Sequence, residues 1–380
     1  MKPGFFSELR GAVTPRAAAL LLAVLGLQLG FIASYVGAFH HPGPHAIPVA
    51  LVAPGDAGTV LAGLNGLPGS PIAAHLVEDE AQGRGEILDR AASAVFVLSG
   101  SGMNDELLTT SADGSAVATT VTEIFRRAEQ ARGRTVTVYD VKQATPGDSR
   151  GLTAFYLAVG WVVGGYLVAI ALGSGRGARQ ANRHQALVRL LALAVYAAAS
   201  AAGGVAIATR VLGAISGDET RLWWFGALLV FGTGAFTMAL QAVLGFVGVG
   251  LSVLLFVVLG NPSAGGAYPA ALLPPFWRTV GPWLPPGAGT DAIRGIAYFR
   301  GVGLHHDAAL LGCYAVVGVL ATLFAGVMQE PRRVVLADLQ SRPAPARPAP
   351  PPVVTPVTVP GTAVTPVVSV RSNAALPPGR

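Results

Sequence analysis

The chain has 380 residues, 52% of them hydrophobic and 12% charged, about half the charged share of an ordinary soluble domain. Because the apolar residues gather into long runs rather than scattering, this excludes a soluble globular protein. The single cysteine, Cys313, excludes an intramolecular disulfide and a cysteine-based zinc site.

A bilayer core about 30 Å thick is crossed by about 20 apolar residues. Residues 1–16 are a basic leader, with Lys2, Arg10 and Arg16 against Glu8, in which Phe5, Phe6, Leu9 and Val13 suit a short helix lying in the interface. Residues 17–39 form the first span, longer than the apolar core of a cleaved signal peptide and so read as an uncleaved anchor. Residues 40–151 carry 13 acids against 8 bases, a net of −5. Strands are expected over 47–53, 73–78, 94–99 and 135–141. Helical patterns fall around 89–92 and over 117–132, where Val117, Val121, Ile124 and Ala128 share a face. This is a small α/β domain long enough to bury its own core.

The second span is 152–173, followed by a cytoplasmic basic loop, 174–189, that holds Arg176, Arg179, Arg183 and Arg189 and no acid. The third is 190–209. Residues 222–260 are uncharged and too long for one crossing, so they divide into spans over 222–241 and 243–260 with a tight turn near 241–245. The segment 261–307 has seven prolines and several aromatic side chains, which suits interfacial or re-entrant helices. One is expected over 270–281, broken by Pro274 and Pro275. The other is expected over 291–300, capped by Thr290, with Asp291 and Arg294 one turn apart. The sixth span is 308–328, and 331–380, with twelve prolines, reads as a disordered cytoplasmic tail.

The fold class is therefore a polytopic α-helical membrane protein with six transmembrane helices and an extracytoplasmic α/β domain between the first two. Basic residues flanking spans stay inside, which puts both termini and the 174–189 loop in the cytoplasm. The near-absence of lysine among 26 basic residues suggests a high-GC bacterial source, hence a multi-pass protein of the bacterial cell membrane. The formal charge of +6 then faces anionic lipid or a partner rather than nucleic acid.

The chemistry is defined first by what is missing. Lysine occurs only at 2 and 142, neither in a glycine loop, so the chain has no phosphate-binding loop of the Walker type. It has no His-Glu-x-x-His, and Ser99-Gly100-Ser101-Gly102 lacks the context of a nucleophile elbow. No catalytic residue, enzymatic activity or cofactor is expected. The span interiors lack Asp, Glu, Lys and His, which leaves no proton relay. Gln28 and Gln241 read as glue between helices, and Gly26-x-x-x-Gly30 and Gly160-x-x-x-Gly164 as places of close approach. His40 and His41 after the first span and His305 and His306 before the last are the residues a metal would use, but interfacial histidines are ordinarily just solvated and no metal is expected.

Three stretches point to a family. Ile47-Pro48-Val49-Ala50-Leu51-Val52 follows the first span. Gly147-Asp148-Ser149-Arg150-Gly151-Leu152 runs into Phe155-Tyr156 and Gly164-Gly165-Tyr166. Asn261-Pro262-Ser263-Ala264-Gly265-Gly266 precedes Leu272-Leu273-Pro274 and Leu284-Pro285-Pro286-Gly287-Ala288. In this order, over about residues 15–330, they resemble the ABC-2 type membrane permeases, in the branch related to the phage-infection protein Pip and YhgE. The resemblance implies a permease subunit that pairs as a homodimer or heterodimer and is driven by a separate ATP-binding subunit, with Arg176, Arg179, Arg183 and Arg189 as candidate contacts to it. Members of this branch often lack an evident ATPase partner. The alternative is a non-transporting envelope protein whose outer domain binds a cell-wall, protein or phage ligand.

Overall fold

The structure is a computed structural model that describes residues 14–55, 57–100, 102–174 and 183–341. The expected leader helix, Arg176, Arg179 and the proline-rich stretch from 342 onward lie outside the described residues. The described residues up to Val335 form one compact unit.

Among the described residues, six helices are long and apolar enough to cross a membrane. The first, α1 (Pro15–Phe39), starts at Thr14, whose hydroxyl accepts from the Ala17 N–H, with Pro15 at the first helical position. A five-stranded sheet follows: β1 (Ile47–Val52), β2 (Ile72–Leu76), β3 (Ala94–Val97), β4 (Asn104–Thr109) and β5 (Thr135–Asp140). Interleaved with the strands are α2 (Ala57–Asn65), α3 (Glu80–Leu88) and α4 (Ser115–Ala131). Strand order is β2-β1-β3-β4-β5, parallel except for the antiparallel pair β3 and β4.

The alternation of side chains along β1 decides the layers. Val49 and Leu51 point toward Leu64 of α2 and Val121 and Phe125 of α4, while Ala50 points toward Ile87 of α3. The sheet is thus covered on both faces, which its parallel pairs require.

Three elements of this domain depart from the sequence expectation, the first being α2, for which no helix is expected over 57–65. No strand was expected at 104–109, because β4 opens with Asn104, Asp105 and Glu106 and so shows no apolar alternation. The fold buries Asp105 completely and matches it with Arg134, at 2.6 Å. The helix expected around 89–92 lies instead over Glu80–Leu88, started by Asp79, whose carboxylate accepts from the Gln82 N–H at 2.8 Å. Residues 89–92 are the turn out of it, with Arg90 at φ 58°, a left-handed conformation that arginine rarely adopts.

The remaining spans are α5 (Thr153–Ser174), α6 (Arg183–Val205), α7 (Glu219–Leu244), α8 (Phe246–Val253) and α11 (Leu304–Ser341). α6 continues as a π-helical turn, Ala206–Val211, and α8 through a π-helical stretch, Leu254–Leu259, into Gly260–Ser263. The expected break between the fourth and fifth spans falls at Gly245, whose φ of 63° ends α7. α11 takes in residues 331–341, read from sequence as tail, because that stretch has no proline after Pro331 to stop the helix.

The bundle is built around α7, on which α5 and α6 pack, and 61% of its apolar window is buried, against 6% for α1. Of the glycines expected to allow close approach Gly164 does so, where a Cβ would lie 3.1 Å from the Tyr196 hydroxyl, and the tightest approaches are made at others. A Cβ at Gly160 or Gly26 would meet nothing within 4 Å, whereas one at Gly165 would lie 2.6 Å from the Val230 carbonyl oxygen. The Trp161 ring fits against Gly204 and Gly226, and its Nε1–H donates to the Ser200 carbonyl at 3.2 Å. Gln241 is buried against α5 at Gly173, as glue between helices would be, while Gln28 is exposed.

Residues between α8 and α11 turn back into the protein as α9 (Pro275–Val280), flanked by short 3-10 turns, and α10 (Pro285–Tyr298). Helix α10 is longer than expected and starts at Pro285, pre-set for a first helical position. Thr290 is therefore a mid-helix residue, its hydroxyl donating back to the Pro286 carbonyl, and not a cap. Thirteen of the residues of α10 are buried, packed on α5 and α7.

Two outcomes test this packing. Gly165→Ala should destabilise the purified protein in nanodiscs by about 1–3 kcal/mol, because the opposing atom is backbone and cannot step aside, while Gly160→Ala stays within about 0.5 kcal/mol. Equal shifts in melting temperature would refute the close approach. In the sheet domain, burial first and then the neighbouring Asp105 carboxylate push the Glu129 carboxyl above its ordinary value. A raised folded-state pKa gives stability that is lost as pH rises through it. Glu129→Gln cannot ionise, so its advantage in melting temperature over the wild type should grow between about pH 5 and pH 8. A constant difference would mean that Glu129 is ionised throughout.

Candidate functional site

A cavity of about 390 Å³ opens where the sheet domain meets α10 and the start of α11. Its charged lining comes from three places in the sequence: Arg90 and Asp113 from the domain, Asp291 and Arg294 from α10, and His306 and Asp307 from α11.

Arg90 is the strut across this seam. Its guanidinium lies 2.8 Å from Asp113 and 2.5 Å from Asp291, and meets both carboxylate oxygens of Asp291 in the bidentate fork that favours arginine over lysine. Its side chain is 12% exposed and lies 5.6 Å from the centre of the Phe299 ring. Burial opposes the charge, but Asp113 and Asp291 more than offset it and hold the guanidinium above its ordinary pKa. The left-handed turn after α3 aims this side chain at α10.

A second seam lies at Asp148, 4% exposed. One carboxylate oxygen accepts from the Thr153 N–H at 2.8 Å and its hydroxyl at 2.7 Å, capping α5. The other accepts from the Tyr298 hydroxyl at 2.9 Å. Burial foremost, with the Asp148 carboxylate adding to it, pushes the Tyr298 phenol up to about 12. Thr145 contacts Tyr298 and donates to the Ala214 carbonyl. The Gly147-Asp148-Ser149 stretch thus joins the sheet domain to α5 and α10 at once.

The expected pair of Asp291 with Arg294 does not form. Arg90 takes Asp291, and the Arg294 guanidinium, on a residue 4% exposed, donates to the Gly265 carbonyl at 3.3 Å. Asp307 is 5% exposed; its Oδ1 is 3.5 Å from His306 Nδ1 and its Oδ2 has no hydrogen-bond partner.

Of the arginines expected to contact a partner, Arg183 and Arg189 are described. Arg183 is exposed in the first turn of α6 and Arg189 is half-buried one and two-thirds turns later, about 120° round the helix from it. These two do not share a face. His40, His41, His305 and His306 are exposed, with His40 Nδ1 2.9 Å from the Val36 carbonyl. Among the described residues no three His, Cys, Asp or Glu side chains stand where they could hold a metal.

Sequence reasoning missed Arg90 and Asp113 because each lies in a short irregular segment with no periodicity to mark it, and Asp307, in the first turn of α11, stood out only as the neighbour of His305 and His306. If the strut is as described, Arg90→Gln and Asp291→Asn should be non-additive, with a coupling of about 1–2 kcal/mol in a double-mutant cycle on melting in nanodiscs. The part exposure of Asp291 keeps that figure below the value for a fully buried pair. Additive losses would mean that the fork contributes nothing.

The chain matches no family model, no curated protein and no solved structure, so its function is argued from its own architecture and from this cavity.

Proposed function

We propose that this chain is the membrane-spanning permease subunit of an ABC-2 type exporter, working as one of a pair and driven by a separate ATP-binding subunit. The observation that carries this reading is the layout: one apolar helix, an α/β domain, then five apolar helices with α10 folded back among them. The helix interiors support it by what they lack. Between 190 and 209, 222 and 260, and 308 and 328 no Asp, Glu, Lys or His occurs, so the chain has no internal relay for proton coupling. With no phosphate-binding loop either, a substrate moved by this chain would draw its energy from another chain. The sparse burial of α1 leaves an apolar side for lipid or for a second subunit.

In this reading the sheet domain and α10 lie outside the bacterial cell, and both termini and the loop before α6 lie inside, as the retention of basic residues demands. The cavity at the domain seam favours the second reading, a non-transporting envelope protein whose outer domain binds a ligand, to the extent that it can act without an ATPase.

Topology is tested by cysteine labelling in a Cys313→Ala background. Exposed positions Glu123 and Thr279, changed to Cys, should react with an impermeant maleimide in intact cells, and His184→Cys only after permeabilisation. Labelling of the His184 site in intact cells would overturn the orientation. Coupling is tested by purifying the tagged chain from its native membrane and assaying ATP hydrolysis. An ATPase should co-purify, and reversing charge at Arg179 and Arg183 should abolish its stimulation without lowering the membrane level of the chain. Full stimulation by the double reversal would remove the coupling role, and absence of any ATPase would shift the reading to the envelope protein.

A further inference from the structure

We infer that the seam cavity binds a small zwitterion, a ligand carrying a primary ammonium and a phosphate or carboxylate a few bonds apart. The inference starts from the charges that line the cavity. Arg90 bridges Asp113 at 2.8 Å and Asp291 at 2.5 Å, a trio of net charge −1 whose carboxylates are 28% and 46% exposed, so that water meets the remaining charge. Arg294 and Asp307 remain. Both are more than nine-tenths buried, and among the described residues no ion pair joins them to each other or, His306 aside, to any other side chain within 4 Å.

Buried charges left in this condition are costly unless something completes their hydrogen bonding. Arg294 has only donors to offer, and the bond it makes here, to the Gly265 carbonyl, is long at 3.3 Å. Asp307 Oδ2 lacks any donor. A simple anion would answer Arg294 and worsen the position of Asp307, and a simple cation would do the reverse. A molecule bearing both charges answers both. A primary ammonium suits Asp307 better than a quaternary one, because the orphaned oxygen needs an N–H donor and not only a positive charge. A guanidinium suits phosphate or carboxylate through its planar fork.

Size and position narrow the ligand further. A cavity of about 390 Å³ is at the small end for ligand sites and suits an amino acid or a phosphoethanolamine group. The lining residues Gly281 and Pro282 adjoin Trp283, 64% exposed, and Phe276 on α9 is 56% exposed. Exposed aromatic rings of this kind favour the headgroup level of a bilayer, which places the cavity where a phosphoethanolamine headgroup of a lipid, or the free zwitterion, could reach it. Binding here does not depend on whether an ATPase drives the chain.

The experiment uses the full chain in nanodiscs and O-phosphoethanolamine as the probe, followed by isothermal titration in phosphatidylglycerol discs. Phosphoethanolamine should bind, and phosphocholine, ethanolamine and inorganic phosphate should each bind at least tenfold more weakly, a comparison that needs no variant. Asp307→Asn and Arg294→Gln should each weaken phosphoethanolamine at least tenfold. A second arm compares melting in phosphatidylethanolamine and phosphatidylglycerol discs. Stabilisation by the ethanolamine lipid that Asp307→Asn removes identifies a lipid headgroup as the source. Binding of the soluble probe without that lipid effect identifies a free zwitterion. Failure of both arms overturns the inference, as does equal binding of phosphocholine or inorganic phosphate.

Discussion

The contact on which the arrangement of this protein depends is the fork from Arg90 to Asp291. It spans two hundred residues of sequence and joins a sheet domain to a helix buried in an apolar bundle. Few other interactions could do so. The domain is polar and the bundle apolar, so apolar contact alone between them would be small and unspecific in direction. A bidentate arginine fixes both distance and orientation, and the second carboxylate, Asp113, makes the burial of that arginine tolerable. With Asp148 holding Tyr298 from the other side, α10 is anchored at two points along its length.

That anchoring has a consequence for the cavity. Because Arg90 reaches Asp291, Arg294 cannot have it, although the two residues are one helical turn apart and would otherwise pair along the helix. The same strut that orders the seam therefore leaves the buried Arg294 guanidinium to the Gly265 carbonyl, in a cavity that also holds Asp307 with one carboxylate oxygen unpaired. Structural order and a potential for binding arise from one competition for a carboxylate.

The bundle follows another constraint. Without charge in the helix interiors, packing is left to shape, and shape is supplied by glycine and small residues facing a backbone or a ring. Gly165 against Val230 and Trp161 between Gly204 and Gly226 show this. Of the glycine pairs spaced four apart along single helices only Gly164 meets a neighbour closely, at Tyr196, since spacing says which residues share a face but not which face meets a neighbour.

Sequence by itself determined the number of apolar helices long enough to span, the break near Gly245, the α/β character of residues 40–151 and four of its five strands, because hydrophobic length and alternation are local properties. It could not place β4, whose buried Asp105 is tolerated only because Arg134, far along the chain, comes to meet it. It misplaced α3 and gave α10 the wrong start, since capping there depends on which residues the fold exposes. The cavity was the least legible feature. Arg90, Asp291, Arg294 and Asp307 become a site only through packing, and the pairing of one buried charge, which decides what is left for the others, is set by three-dimensional distance and not by position in the chain.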